Sequence, residues 1–171
     1  MRTRFRAFLI ESACALLLAT SEASAQGLGG RFHFGALYDP VFHVPDETSS
    51  AGAHFDLSQN VIEKTSTKIS WVAEFGFNNF DNDTVLGYLG GGRIAGEINP
   101  RMSAFFQFLA GAQHWNGATD FAFQPGLGFD FARWPKITIR TQLDFRRVFF
   151  ESGSQSETRL GVGVMIPIRV E

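Results

Sequence analysis

Four histidines, His33, His43, His54 and His114, are the residues of this chain best suited to acid–base or metal chemistry. They do not stand at the short, fixed intervals that bring metal ligands together. A hydrolase would need a hydroxyl, a base and an orienting acid within reach of one another. Ser70 and Ser103 offer hydroxyls, and His43 and His114 offer bases, yet no Ser-His-acid spacing is evident. The sequence therefore predicts no enzyme, no cofactor and no metal.

A second set of ionisable residues stands out by regularity rather than by motif. From Phe121 to Ala132 the odd positions are Phe121, Phe123, Pro125, Leu127, Phe129 and Phe131, and the even ones include Gln124, Gly126 and Asp130. From Ile137 to Arg146 an apolar row ending in Leu143 and Phe145 alternates with Arg140, Gln142, Asp144 and Arg146. From Arg159 to Val170 the apolar residues Leu160, Val162, Val164, Ile166, Ile168 and Val170 alternate with Arg159, Gly161, Gly163, Met165, Pro167 and Arg169. Side chains on a strand point alternately to its two faces, so each segment has one greasy face and one polar or small face. Strands of soluble sandwiches run ~5–6 residues. These alternate for about ten, the length a tilted strand needs to cross a hydrocarbon layer.

Less regular segments of the same kind occupy Gly30–Tyr38, Gly52–Asn60, Lys68–Asn78, Val85–Glu97 and Ser103–Gln113. Together with the three above they predict an all-β chain: an eight-stranded antiparallel up-and-down transmembrane β-barrel, even-numbered as single-chain barrels are. Ile98–Met102 and Arg133–Lys136 are compact turns, whereas 39–51 and 148–157 are longer, polar and suited to the outer surface. Val61–Thr67 is long for a turn on the periplasmic side. Trp71, Trp115, Trp134 and Tyr38 fall near strand ends, where aromatic rings form interfacial girdles. Pro125 interrupts a strand that has no free edge, which predicts a bulge around Gln124–Gly126.

An eight-stranded barrel has an interior just wide enough for side chains. The inward rows hold Arg31, Arg93, Arg140, Arg146, Arg159 and Arg169 against Asp56, Glu74, Glu97, Asp130 and Asp144, with His33, His54 and Gln113 beside them. The expected interior cluster is Glu74, Arg93, Gln107, Gln124, Asp130, Arg140, Gln142, Asp144, Arg146 and Arg159. Charges in such a place need partners, so the cluster predicts a salt-bridged plug.

The ends of the chain set the compartment. Arg2, Arg4 and Arg6 precede a short apolar run from Ala13 to Thr20, and Ala23–Ala25 is an A-x-A cleavage site. That layout predicts a signal peptide over 1–25 and a mature barrel over 26–171. Cys14 lacks the aliphatic residue a lipoprotein site wants before it, and it leaves with the signal, so no disulfide is expected. Residues 1–25 carry three Arg and two Glu, which leaves twelve basic and fifteen acidic residues in the mature part. That charge predicts no nucleic-acid partner. The chain ends on Glu171 rather than on the aromatic residue common in machinery-inserted barrels.

Gly126–Asp130 (GLGFD), Ile139–Arg146 (IRTQLDFR) and Arg159–Gly163 (RLGVG) resemble the last three strands of small OmpA-like outer-membrane β-barrel proteins. Leu89–Arg93 (LGGGR) resembles the fourth strand of the same group. The resemblance covers the mature chain and implies an eight-stranded barrel in the outer membrane; outer-membrane lipid is the expected partner and a monomer the expected state. It carries no peptidoglycan-binding domain, so a role anchored to the cell wall does not transfer. The implied role is structural, or a surface interaction through 39–51 and 148–157. Two alternatives are a narrow channel for water, ions or small solutes, and a soluble lipocalin-like periplasmic barrel with an apolar ligand inside.

Overall fold

The computed structural model describes residues 32–44, 49–80, 83–134, 137–151 and 153–168, without the side chains of 43, 44, 80, 133 and 134. The expected signal peptide, Arg31, Arg169, the chain terminus and the Trp134 ring lie outside the described residues. Eight strands follow in order: β1 (Phe32–Val44), β2 (Ser49–Glu63), β3 (Thr67–Phe80), β4 (Asp83–Asn99), β5 (Met102–Trp115), β6 (Ala118–Trp134), β7 (Ile137–Phe150) and β8 (Gly153–Ile168). Each pairs antiparallel with its sequence neighbour, and β1 pairs with β8 to close the barrel.

The strands run longer than alternation alone indicates. The segment 39–51 is mostly strand, because β1 continues to Val44 and β2 starts at Ser49. The segment 148–157 is likewise taken up by the ends of β7 and β8. The expected long outer loops are thus corrected to short connections on extended hairpins. Backbone pairing can continue into Ser- and Gly-rich sequence that carries no apolar alternation, since the ladder bonds belong to the main chain. Asn116 and Gly117 turn β5 into β6 with φ of 50° and 77°. That is the positive-φ pair of a tight hairpin, which Asn-Gly adopts readily.

The bulge expected at Pro125 is absent. Phe123 pairs with Arg147 and Gly126 with Asp144 in one unbroken register, so the proline only leaves the two intervening β6–β7 pairs open. On the other side Pro125 keeps its place opposite Phe108. The register shifts lie elsewhere, at Asn60/Ile62, Glu97/Asn99 and Ala132/Trp134. All three fall beside the turns at the end of the barrel where β1 begins and β8 stops. Bulges at a barrel rim bend the strand and absorb an extra residue.

The faces sort by chemistry. Phe75, Phe106, Phe108, Leu127, Val162 and Ile166 point outward and are exposed, among twenty-eight exposed large hydrophobic residues in the described part of the chain. Contiguous apolar surface on that scale is foreign to a water-soluble monomer and suits a hydrocarbon solvent. Polar residues fill the interior, with an apolar strip of Val72, Leu89, Leu109, Ala122 and Val148 along one wall.

Candidate functional site

The barrel interior holds one connected polar network with a member from every strand. At the end of the barrel near the termini, Asp56 on β2 accepts hydrogen bonds from Arg93 on β4 and from Arg140 on β7, the latter at 2.9 Å. Arg140 also makes a two-pronged pair with Asp130 at 2.7 and 2.8 Å. Both guanidinium groups lie over the buried Phe105 ring, at 4.8 Å for Arg93 and 4.6 Å for Arg140. Such stacking recovers part of what a guanidinium loses on leaving water.

Gln107 links this layer to the middle one. Its carbonyl accepts from Arg93 Nε at 3.0 Å, and its amide donates to Asp144 at 3.2 Å. Asp144, fully buried, also accepts from Gln142 at 2.8 Å and from Arg159 at 2.8 and 3.1 Å. Arg159 continues to Glu74 at 2.8 Å. Glu74 then accepts from Arg146 at 3.3 Å and Gln124 at 3.2 Å. The last layer joins Arg146 to Gln124 at 2.8 Å and to Gln113 at 3.1 Å, and Gln113 to Glu157 at 3.1 Å. Glycines make the room: a Cβ on Gly126 would lie 2.0 Å from Asp144 Oδ1.

All ten residues expected in the interior cluster therefore sit in one network. Three further members, His54, Asp56 and Gln113, stand on faces that alternation also turns inward. Asp39 and Glu157 were placed in loops by the sequence, and the longer strands carry them inside. Asp39 lies 2.6 Å from His54 Nδ1 and 3.7 Å from Arg159. Glu157 lies 3.9 Å from Arg146. The signal that could have found Glu157 is register: it pairs with Arg146 across β7–β8, and an acid opposite a base continues the interior row. Asp39 follows Leu37 by two on the same inward face. Glu97 departs from expectation, since it is exposed at the mouth of the barrel rather than enclosed. His33 is half-buried at the same mouth.

The aromatic residues divide. Trp71 donates its indole N–H to Gln59 at 2.8 Å and meets Phe32 edge-on at 6.2 Å. Gln59 faces outward yet is buried, so these two rings shield a polar side chain on the apolar wall. Trp115 ends β5 at the Asn116–Gly117 turn. Tyr38 is corrected from a strand end to the middle of β1, where it is 60% exposed. His114 bonds Thr119 at 2.8 Å across the β5–β6 hairpin, and Ser70 bonds Asn60 at 2.9 Å. Neither contact joins a hydroxyl, an imidazole and an acid.

No protein-family profile matches the chain, and no curated protein sequence does. Solved structures do. Neisserial surface protein A is similar with a TM-score of 0.57 at 8% identity, covering 81% of this chain and 96% of that one. Ail, the attachment invasion locus protein of Yersinia pestis, solved with the heparin analogue sucrose octasulfate, is similar at 0.56 and 12% identity over 80% of this chain and 99% of its own. A designed transmembrane β-barrel gives 0.52 at 11% identity, covering 84% and 98%. The fold is that of small eight-stranded outer-membrane barrels, as the OmpA-like resemblance implies.

Proposed function

We propose that this protein is a small integral outer-membrane β-barrel, exported by residues 1–25 and processed to 26–171, whose interior is a salt-bridged plug. Its role is structural or an interaction at the cell surface, and it acts as a monomer in lipid without catalysis. One observation carries the proposal: a continuous apolar exterior encloses a charged network that ties all eight strands together. A soluble carrier of apolar ligands needs the reverse, an apolar cavity inside a polar wall.

The same network argues against a general channel. Gln107, Gln124 and Asp144 have no exposed surface, and Arg93, Arg140 and Arg159 are at most 5% exposed. A path through them would have to break several charge-assisted bonds, each worth ~1.5–3 kcal/mol. The surface role falls to the extended β1–β2 and β7–β8 hairpins rather than to long mobile loops. Planar bilayers containing the folded protein test the plug. Wild type, Glu74→Ala and Arg140→Ala are compared, and wild type should show no discrete conductance. Steady single-channel openings in wild type would replace the plug with a pore.

A further inference from the structure

One imidazole ring sits among the charge pairs of the interior. His54, on β2, has no exposed surface. Its Nδ1 lies 2.6 Å from Asp39 Oδ2 on β1. Its Nε2 lies 3.3 Å from the Gln142 amide nitrogen on β7 and 3.8 Å from Glu74 Oε2 on β3. Arg159 on β8 reaches the same two acids, at 3.7 Å from Asp39 and 2.8 Å from Glu74. Asp144 stands behind Gln142. Asp56, two residues along β2, is taken up by Arg93 and Arg140.

These contacts settle which ring nitrogen carries the proton. Gln142 presents its amide nitrogen to Asp144 at 2.8 Å, because its carbonyl turned there would face a carboxylate. The second hydrogen of that nitrogen is then donated to His54 Nε2, which must be bare to accept it. Nδ1 therefore holds the proton and donates to Asp39, and the ring is neutral. Gln142 Oε1 is left buried without a donor.

We propose that His54 is a proton-operated latch in the plug: a second proton, on Nε2, draws Glu74 away from Arg146 and toward the ring. The latch rests on the plug proposed above. With both nitrogens protonated, the ring sets an N–H against the amide nitrogen of Gln142, and that bond is lost. Gln142 Oε1 cannot replace it without also facing Asp144. The acceptor within reach is Glu74 Oε2. Its other oxygen, Oε1, pairs with Arg146 at 3.3 Å, a longer contact than the 2.8 Å to Arg159. A carboxylate drawn toward β2 therefore loosens Arg146 first. Arg146 keeps Gln124 at 2.8 Å and Gln113 at 3.1 Å. The charged joint between the middle layer and the last one slackens, while each layer stays whole. Local opening of the barrel suffices to deliver the proton.

The test follows nitrogen NMR shifts in the full protein, folded in zwitterionic detergent, from pH about 8 to about 5, the span in which an imidazole changes charge. At the alkaline end His54 should carry a proton on Nδ1 alone. At the acid end it should carry two, and the Glu74 amide and Arg146 Nε–H signals should shift with the same midpoint. His54→Asn keeps a side-chain N–H for Asp39 and has nothing to titrate, so those two shifts should vanish in it. His33→Asn and His114→Asn, at the two ends of the barrel, should leave them unchanged. A ring that keeps one protonation state throughout would overturn the latch, and wild type alone decides this. Titration of the ring without movement at Glu74 and Arg146, or movement that persists in His54→Asn, would overturn it as well. Bilayer conductance at the alkaline end separates the latch from the plug. Openings there would overturn the plug whatever the ring does, whereas a silent barrel whose ring takes no second proton would lose only the latch.

Discussion

Glu74 is the residue on which most of the interior depends. It accepts from Arg159, Arg146 and Gln124, each on a different strand, and is almost wholly buried. Removing one partner of a buried pair leaves the other charge without compensation, at a cost of about 3–5 kcal/mol. Glu74→Ala should lose stability on that scale in denaturant unfolding of the detergent-folded barrel, read by tryptophan emission. A loss below about 1 kcal/mol, the level of exposed pairs, would mean that the network is hydrated and slack. Gly126→Ala probes the same centre by volume. Its Cβ would meet Asp144 Oδ1 at 2.0 Å and Gln107 Cγ at 3.3 Å. The variant should be destabilised by about 1–3 kcal/mol, the usual cost of overpacking, and an unfolding midpoint equal to wild type would contradict the packing described. These residues were legible in the sequence because each stands on the inward row of an alternating strand. Glu157 was not, since Ser, Gln and Thr on both sides of it hide the period, and Asp39 was not, since the Asp-Pro pair it forms with Pro40 resembles the end of a strand.

Among the elements, β6 carries the clearest alternation and also its one interruption. Pro125 leaves the β6–β7 ladder open over two residue pairs, and the Arg146–Gln124 side-chain bond at 2.8 Å closes that gap from inside. Pro125→Val would restore a backbone N–H and favour the strand. Hydrogen exchange should then slow at Phe145, and the new amide at residue 125 should itself be protected, with the register on either side unchanged. A shift in register, seen as new cross-strand contacts for Phe123 or Gly126, would show that the proline sets the alignment. The fold class was legible from period and strand length together with the expected leader and the small or charged residues of the inward face, most plainly in β6, β7 and β8. The strand ends and the rim bulges were not. Bulges at Asn60, Glu97 and Ala132 answer to the closing geometry of the barrel rather than to any local residue type. Tyr38 shows the same limit: it looks terminal because Asp39 and Pro40 follow it, yet β1 runs on to Val44.

The whole molecule turns the usual protein inside out. Many of its charges face inward in a bonded network, in which Asp39 Oδ1, Asp56 Oδ1 and Gln142 Oε1 alone are left without a partner among the described residues of that network, and large hydrophobic residues face outward on every strand. Buried charge stabilises little by itself against an apolar alternative, so the network is better understood as what specifies one closed register in a solvent that offers no water. The apolar exterior then has one suitable environment. Cell fractionation tests that directly. The protein should sediment with outer membranes, resist extraction by carbonate, and migrate differently on gels before and after heating. Release into the periplasmic fraction by osmotic shock, with the same mobility heated or unheated, would contradict the membrane barrel.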